Sequence, residues 1–405
     1  MFEKEVNPER IETADMVVCV PSYNEADSIA YPVRQADLGL AKFFPELKSV
    51  IINCDNNSPD GTKEAFLGTD TEKPKIYLST PPGVKGKGNN FRNLFEKVLE
   101  LEAKAVVVVD ADLESITPQW IKHLGEPLFN DFEYVAPLYV RHKYDGTITN
   151  GIAYPLTRAL YGRRVRQPIG GDFGFSGNLA EVYLESEIWD EATANFGIDI
   201  WMTTLAISQG VPICQSFMGR PKVHRPKDPA GSLGPMFRQV IGTIYTLMCR
   251  FEDLWARVKY SKPTAIYGFG LGEVEMPPKV DVDSRKLFEQ FHQGFEDYLG
   301  VWEQALSEDI YRKLVEIRGM KDRVFNFPTD LWARILYDMG VAYRDRVQEP
   351  DVLMDSLIPL YYGRTLSFVK KTRRMSTQQA EETIEEDCVT FELTKPYLLK
   401  RWSGE

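Results

Sequence analysis

Four short apolar runs, each closing in turn-forming and charged residues, punctuate the first 110 positions. Met16 to Pro21 is apolar and β-branched, ends in Pro21-Ser22-Tyr23-Asn24-Glu25, and is followed by a helix-like stretch from Asp27. Ser49 to Cys54 ends in Asp55-Asn56-Asn57-Ser58-Pro59-Asp60-Gly61-Thr62 before a second helical pattern. Lys75 to Ser79 is followed by the loop Pro81 to Gly88 and a helix to about Leu101, and Ala105 to Val109 is wholly apolar. Apolar runs of this length, alternating with helical spacers, predict buried strands in a parallel sheet covered on both faces. In such sheets ligands gather beyond the carboxyl ends of the strands. Those ends carry Glu25, Asp55, Lys87, Asp110 and Asp112.

The pattern changes in the last third. Residues 271–284 read as a linker, with Gly-Glu-Val-Glu-Met-Pro-Pro-Lys-Val-Asp at its centre. Beyond it Leu287, Phe288, Phe291, Phe295, Tyr298, Leu299 and Trp302 share one helical face, with Ser284 as the expected N-cap. Further helices are expected at 308–318, 329–345 and 351–369, the last kinked at Pro359. The chain is therefore expected to divide into an α/β domain over 1–270 and a helical extension over 271–405. The basic run Lys370, Lys371, Arg373, Arg374 and the acidic run Glu381, Glu382, Glu385, Glu386, Asp387 read as a solvated face.

Composition narrows the function. With 405 residues, 43% hydrophobic and 26% charged, the chain is neither disordered nor fibrous. A net charge of −11 disfavours the basic stripe that nucleic acid requires, so an anionic ligand must be held by a local cluster. The five cysteines are far apart and form no CxxC pair, so neither a zinc site nor a disulfide framework is indicated. Their usage points to a reducing compartment. The first fifteen residues lack the apolar stretch of a secretory signal and no apolar run reaches spanning length, so cytoplasm without a membrane span is the expectation.

Chemistry concentrates at Asp110-Ala111-Asp112, which closes the fourth apolar run. Two carboxylates one residue apart repel, and a divalent cation removes that repulsion; the alternative is one capping and one solvated aspartate. Lys87 lies between Gly86 and Gly88, where glycine permits close backbone approach and the ammonium can meet a phosphate or ribose. His224 sits in Lys222-Val223-His224-Arg225-Pro226-Lys227, whose cations suit a diphosphate, although a lone histidine is commonly structural. Between Tyr139 and Thr149, Arg141 can grip a carboxylate bidentately and Thr149 can bond a hydroxyl; a solvated basic loop is the other reading. Asp199, on a Gly-Ile-Asp turn, either faces a ligand or caps the helix through Trp201 and Met202.

Taken together, these pieces resemble nucleotide-sugar glycosyltransferases of the GT-A fold, whose DxD aspartates bind a metal bridging the donor diphosphate. Within that family they are similar to the mannosylglycerate and glucosylglycerate synthases and, less completely, to the glucosyl-3-phosphoglycerate synthases. The matching strings are Gly86-Lys87-Gly88, Asp110-Ala111-Asp112, Gln167-Pro168-Ile169-Gly170-Gly171, Gly197-Ile198-Asp199 and His224-Arg225, in the family's order. The helix after Phe325-Asn326-Phe327 resembles the family's helical extension.

The resemblance implies an α/β GT-A fold and a retaining hexosyltransferase that carries glucose or mannose from a GDP- or UDP-sugar to D-glycerate, as in compatible-solute synthesis. Transfer to 3-phosphoglycerate is the alternative acceptor reading. A nucleotidyltransferase or a non-catalytic nucleotide-sugar-binding protein is the alternative of another class. The implied metal, Mg2+ or Mn2+, would be held by Asp110, Asp112 and His224. Donor contacts fall on Pro21, Tyr23, Glu25, Asp55, Lys87, Asp110, Ala111, Gly170 and Arg225. Acceptor contacts fall on Arg141, Thr149, Gly171, Asp199 and Lys227, and Asp199, Lys87 and Asp112 carry the chemistry. Tyr23, Phe196 and Lys227 depart from the family's usual lysine, tryptophan and tyrosine; a cation at Lys227 suits an acceptor phosphate. The helical extension is expected to mediate a homodimer without supplying catalytic groups.

Overall fold

The computed structural model describes residues 3–224, 229–268 and 275–404, with backbone alone for 229–232. Among these residues nine strands form one sheet: β1 (Lys4–Val6), β2 (Met16–Ser22), β3 (Ser49–Asp55), β4 (Lys75–Ser79), β5 (Ala105–Val108), β6 (Tyr134–Leu138), β7 (Phe173–Ser176), β8 (Ile213–Phe217) and β9 (Ala265–Tyr267). Their order is β1-β4-β3-β2-β5-β7-β6-β8-β9. β4, β3, β2 and β5 run parallel, as do β6, β8 and β9, while β7 lies antiparallel between β5 and β6 and β1 runs antiparallel on the edge. The α/β class and the covered, mostly parallel sheet expected of the apolar runs are those observed.

The central strands read as unbroken apolar runs because both faces are covered. Every residue of β2 and β3 is buried. One face packs Val18, Val20 and Val107 against Val33, Leu40, Trp120 and Ile121, which come from helices Ala30–Phe43 and Pro118–Gly125. Helix Lys87–Glu100 packs against β2, β3 and β4 with Phe91, Leu94 and Phe95 buried. The register sets Ser22 beside Asp55 and Asp55 beside Ser79, and the Val109 N–H donates to the Cys19 carbonyl. The strands thus stop level, and their closing loops form one row.

Two compact units share the chain. The first comprises Met1–Val140, Val165–Asp228 and Thr264–Pro277; the second comprises Arg141–Arg164, Pro229–Pro263 and Pro278–Glu405. The division expected at 270/271 is therefore replaced by an interleaved one, in which two earlier segments join the helical part. Arg158 shows why. Its guanidinium, 1% exposed, meets Glu385 at 2.5 Å and Glu392 at 2.8 Å, so the helix Tyr154–Tyr161 is fixed by side chains more than two hundred positions later.

The second unit is helical, with Ser284–Ala305, Glu308–Arg318, Thr329–Arg344, Pro350–Thr372 and Thr377–Ser403 as its longer C-terminal helices. The cap of the first is Asp283 rather than Ser284: its carboxylate accepts from the Arg285 and Lys286 N–H groups at 3.0 Å. Ser376 and Gln379 form a reciprocal capping box that starts the last helix. The charged tail is thus not a solvated face alone, since Arg364 pairs with Asp387 and both are largely buried. No helix among the described residues is long and apolar enough to cross a membrane.

Candidate active site and metal centre

Asp110 and Asp112 lie just past the end of β5, whose four residues are fully buried. The segment Lys222–His224 is drawn alongside by an antiparallel bridge between Leu113 and His224. The Glu114 N–H donates to the Val223 carbonyl and the Val223 N–H to Ser115 Oγ, both at 2.9 Å. His224 Nδ1 thereby comes to 3.1 Å from Asp112 Oδ1. Ligand atoms of Asp110, Asp112 and His224 all lie within 4.8 Å of one another. Two carboxylates and an imidazole at this spacing fit a divalent cation of the Mg2+ or Mn2+ kind, for which carboxylate and mixed oxygen–nitrogen sets are ordinary ligands.

Lys87 is delivered by its glycines. A Cβ on Gly86 would run into the Ala194 carbonyl oxygen, and one on Gly88 into that of Thr193. Only glycine lets the start of helix Lys87–Glu100 lie against backbone 193–195, where the Gly88 and Asn89 N–H groups donate to Asn195 and Ala194. That contact leads straight into the Gly197-Ile198-Asp199 turn. Lys87 Nζ lies 3.2 Å from Asp199 Oδ1 and 3.1 Å from Asp110 Oδ1. Asp199 sits in the first turn of helix Ile198–Ser208 with its carboxylate on Lys87, and Gly197, not Asp199, occupies the cap position.

The electrostatics follow from burial opposed by pairing. Burial disfavours a charged Asp110, but the ammoniums of Lys222 and Lys87 overcome it and hold the carboxyl well below the usual carboxylate range. Burial likewise opposes the charge on Lys87, and Asp110 and Asp199 overcome it, so this lysine stays cationic. For Asp199 burial prevails over Lys87 and pushes the carboxyl up.

Asp172, Lys222 and Tyr139 complete the site: in sequence Asp172 closes the loop from Gln167 expected beside the sugar, Lys222 is one of the cations suited to a diphosphate, and Tyr139 opens the segment that holds Arg141. Asp172 is fully buried and accepts from the Asp110 N–H at 2.9 Å, from Lys222 at 2.8 Å and from the Tyr139 hydroxyl. Lys222, which in sequence looks like one more cation of a phosphate-binding loop, is buried and turned away from solvent. A glycine at 171 is required here: its φ is +85° and a Cβ would lie 2.6 Å from Asp110 Oδ2 and 2.8 Å from Lys222 Nζ.

The remaining expected donor residues stand along the row of strand ends. Asp55 is fully buried and its carboxylate accepts from Ser22, Ser58 and Tyr77, so it braces the loop after β3. Pro21 pairs with Cys54 in register, the Glu25 N–H donates to Thr62 Oγ1 at 2.9 Å, and Ala111 is buried. Tyr23 is exposed with the Lys85 ammonium 4.7 Å from its ring centre. The Gly170 carbonyl accepts from Lys222 at 2.7 Å and that of Gly171 faces Lys87 at 3.5 Å. Arg141 and Thr149 belong to the second unit: Arg141 is 3.7 Å from Asp145, and Thr149 is a buried residue opening the π-helical turn Thr149–Ala153. Arg225 and Lys227 lie outside the described residues.

The site is thus an aspartate pair at a strand end with a lysine and a histidine beside it, and residues 17–178 match the family model described as Glycosyl transferase family 2. Among curated proteins the chain is similar to mannosylglycerate synthase of Rhodothermus marinus, with 26% identity over 170 residues, 40% of this chain and 42% of that protein. The chain thus matches less than half the length of that relative. Among solved structures it is similar to glucosyl-3-phosphoglycerate synthase from Mycobacterium tuberculosis in complex with Mn2+, UDP and glucosyl-3-phosphoglycerate, at 23% identity and a TM-score of 0.45 over 58% of this chain and 80% of that one. The same synthase in complex with Mg2+ and UDP aligns at 23% identity and a TM-score of 0.45, over 58% and 79% of the two chains.

Proposed function

We propose that the protein is a metal-dependent retaining hexosyltransferase that moves glucose or mannose from a nucleoside diphosphate sugar to D-glycerate. The observation that carries this reading is the Asp110-Asp112-His224 cluster with the Lys87–Asp199 ion pair against it. The family match over 17–178 and the likeness to a mannosylglycerate synthase support it. When bound by Asp110, Asp112 and His224, a divalent ion supplies positive charge to the diphosphate end of the donor.

The rest of the chemistry falls to the protein. Lys87, kept cationic by its carboxylate neighbours, turns to the diphosphate as the bond from the anomeric carbon to the phosphate oxygen breaks. The acceptor hydroxyl attacks from the face the diphosphate leaves, forming the new carbon–oxygen bond and giving its proton to the departing phosphate oxygen. Asp199 orients the sugar and acceptor hydroxyls, and Arg141 and Thr149 recognise the glycerate carboxylate and hydroxyl. The helical unit is assigned the homodimer contact, with Val389, Leu393 and Leu399 exposed on the last helix; sedimentation at micromolar concentration tests this.

The test of the function is a panel of GDP- and UDP-hexoses crossed with glycerate and 3-phosphoglycerate, with products resolved by mass. A glycosylglycerate formed with Mg2+ or Mn2+ and lost in chelator is expected. Product from 3-phosphoglycerate alone would move the acceptor assignment. Release of pyrophosphate from a nucleoside triphosphate would overturn the transferase reading.

A further inference from the structure

Two ammoniums face the carboxylates around the metal cluster. Lys222 meets Asp110 and Asp172, each at 2.8 Å, and Lys87 meets Asp110 at 3.1 Å and Asp199 at 3.2 Å. Asp110 and Asp112 stand beside His224. The Lys222 side chain is 2% exposed, and its three N–H groups have three protein acceptors: Asp110 Oδ2 at 2.8 Å, Asp172 Oδ2 at 2.8 Å and the Gly170 carbonyl at 2.7 Å. No proton remains for a phosphate.

Asp110 is therefore gripped twice by one buried ion pair. Asp172 Oδ1 fixes its backbone through the N–H at 2.9 Å, and Lys222 fixes its side chain through Oδ2. The Tyr139 hydroxyl donates to Asp172 Oδ2, the oxygen that Lys222 also meets. Oδ1 is the oxygen that remains, and the nearest competitor for it is Lys87 at 3.1 Å. Without the grip on Oδ2 the carboxylate is free to turn both oxygens toward the Lys87 Nζ, which already lies 3.1 Å from Oδ1.

We infer that Lys222 and Asp172 form a positioning pair that commits one oxygen of Asp110 to the protein and keeps the other available to the divalent ion. The inference rests on the metal reading given under the proposed function. It assigns Lys222 a role different from that of a diphosphate contact, and it gives the buried Asp172 a purpose in the site. Groups outside the ligand set that orient a ligand carboxylate in this way change metal affinity by about 10- to 100-fold when removed.

The test replaces the neutral ion pair by a neutral polar–apolar pair, Lys222→Met with Asp172→Asn, in the full chain. Net charge is unchanged and the amide carbonyl introduced at position 172 still offers an acceptor to the Asp110 N–H, so the grip on Asp110 Oδ2 is what disappears. Mn2+ binding is read by electron paramagnetic resonance on the protein without substrates, alongside thermal melting. The expected result is about 10- to 100-fold weaker Mn2+ binding, with a single cooperative melt. Unchanged or tighter binding would overturn the inference, since Lys222 would then act only as a counter-charge to Asp110. If wild type itself binds no Mn2+, the metal reading fails, and the two failures are distinguished. Should the double variant not melt cooperatively, Lys222→Met alone carries the test, since it too removes the grip on Asp110 Oδ2, with about 10- to 100-fold weaker Mn2+ binding expected and unchanged binding again overturning it.

Discussion

Lys87 and Asp199, 112 positions apart in sequence, are joined by an ion pair of 3.2 Å that exists because Gly86 and Gly88 let two backbones touch. The pair brings an ammonium and a carboxylate together in one largely buried place beside Asp110.

Removing the cation alone should harm both stability and chemistry. Lys87→Met leaves Asp110 and Asp199 without it, and breaking a buried pair on one side costs about 3–5 kcal/mol. Transfer should fall by about 100- to 1000-fold as well. Lys87→Met combined with Asp199→Asn should recover part of the melting temperature and none of the activity. Thermal melts and initial rates on the three proteins check this; full activity in the double variant would remove both residues from the chemistry.

Loss of a ligand should act differently. Asp112→Ala and His224→Ala are expected to abolish metal-dependent transfer while still melting cooperatively. Mg2+ or Mn2+ should restore wild-type activity after chelation. Wild-type transfer that persists in chelator would refute the metal assignment.

Acceptor recognition is expected to separate from donor binding. Arg141→Ala should raise the acceptor KM by about 10- to 100-fold, the value of a lost charge-assisted pair of about 1.5–3 kcal/mol, and leave the donor constant nearly unchanged. Equal small effects on both constants would show Arg141 to be a structural turn residue.

A pH effect is expected in the second unit. Burial lowers the Lys395 ammonium to about 8, and its Nζ donates to the Trp255 carbonyl at 2.5 Å and the Val258 carbonyl at 2.6 Å. Between pH 8 and the ordinary lysine value of 10.5 the unfolded chain holds a proton that the folded one has lost, so this group makes the fold more stable as pH rises through that window. Melting curves at about pH 8 and about pH 10 should show the wild type gaining a few degrees relative to Lys395→Met; a parallel shift in both would rule the effect out.

The legible part of this protein is carried by short strings. The apolar runs of β2 to β5 announce covered strands, and Asp110-Ala111-Asp112 and Gly86-Lys87-Gly88 announce their chemistry within three residues each. Lys222 is easily misread because a lysine among cations looks exposed; its partners Asp110 and Asp172 arrive from 112 and 50 positions away, through the sheet. The last helix is hidden by its charged run. Its buried positions Ala380, Ile384, Cys388 and Phe391 do repeat at helical spacing, but the acidic residues between them dominate the pattern. Arg158 on its own looks like an ordinary surface arginine, and only the return of Glu385 and Glu392 makes it a core residue.

The interleaving of the two units also constrains how this protein is made and shortened. A polypeptide released after residue 270 would already contain the helix Tyr154–Tyr161 but neither acidic partner of Arg158. Its guanidinium would then be either buried without a counter-ion or driven to the surface together with the apolar side chains around it. The C-terminal helices therefore act as a late-arriving half of a core whose first half is translated more than two hundred residues earlier. During synthesis the ion pairs that fix the helix Tyr154–Tyr161 cannot form until Glu385 and Glu392 have left the ribosome.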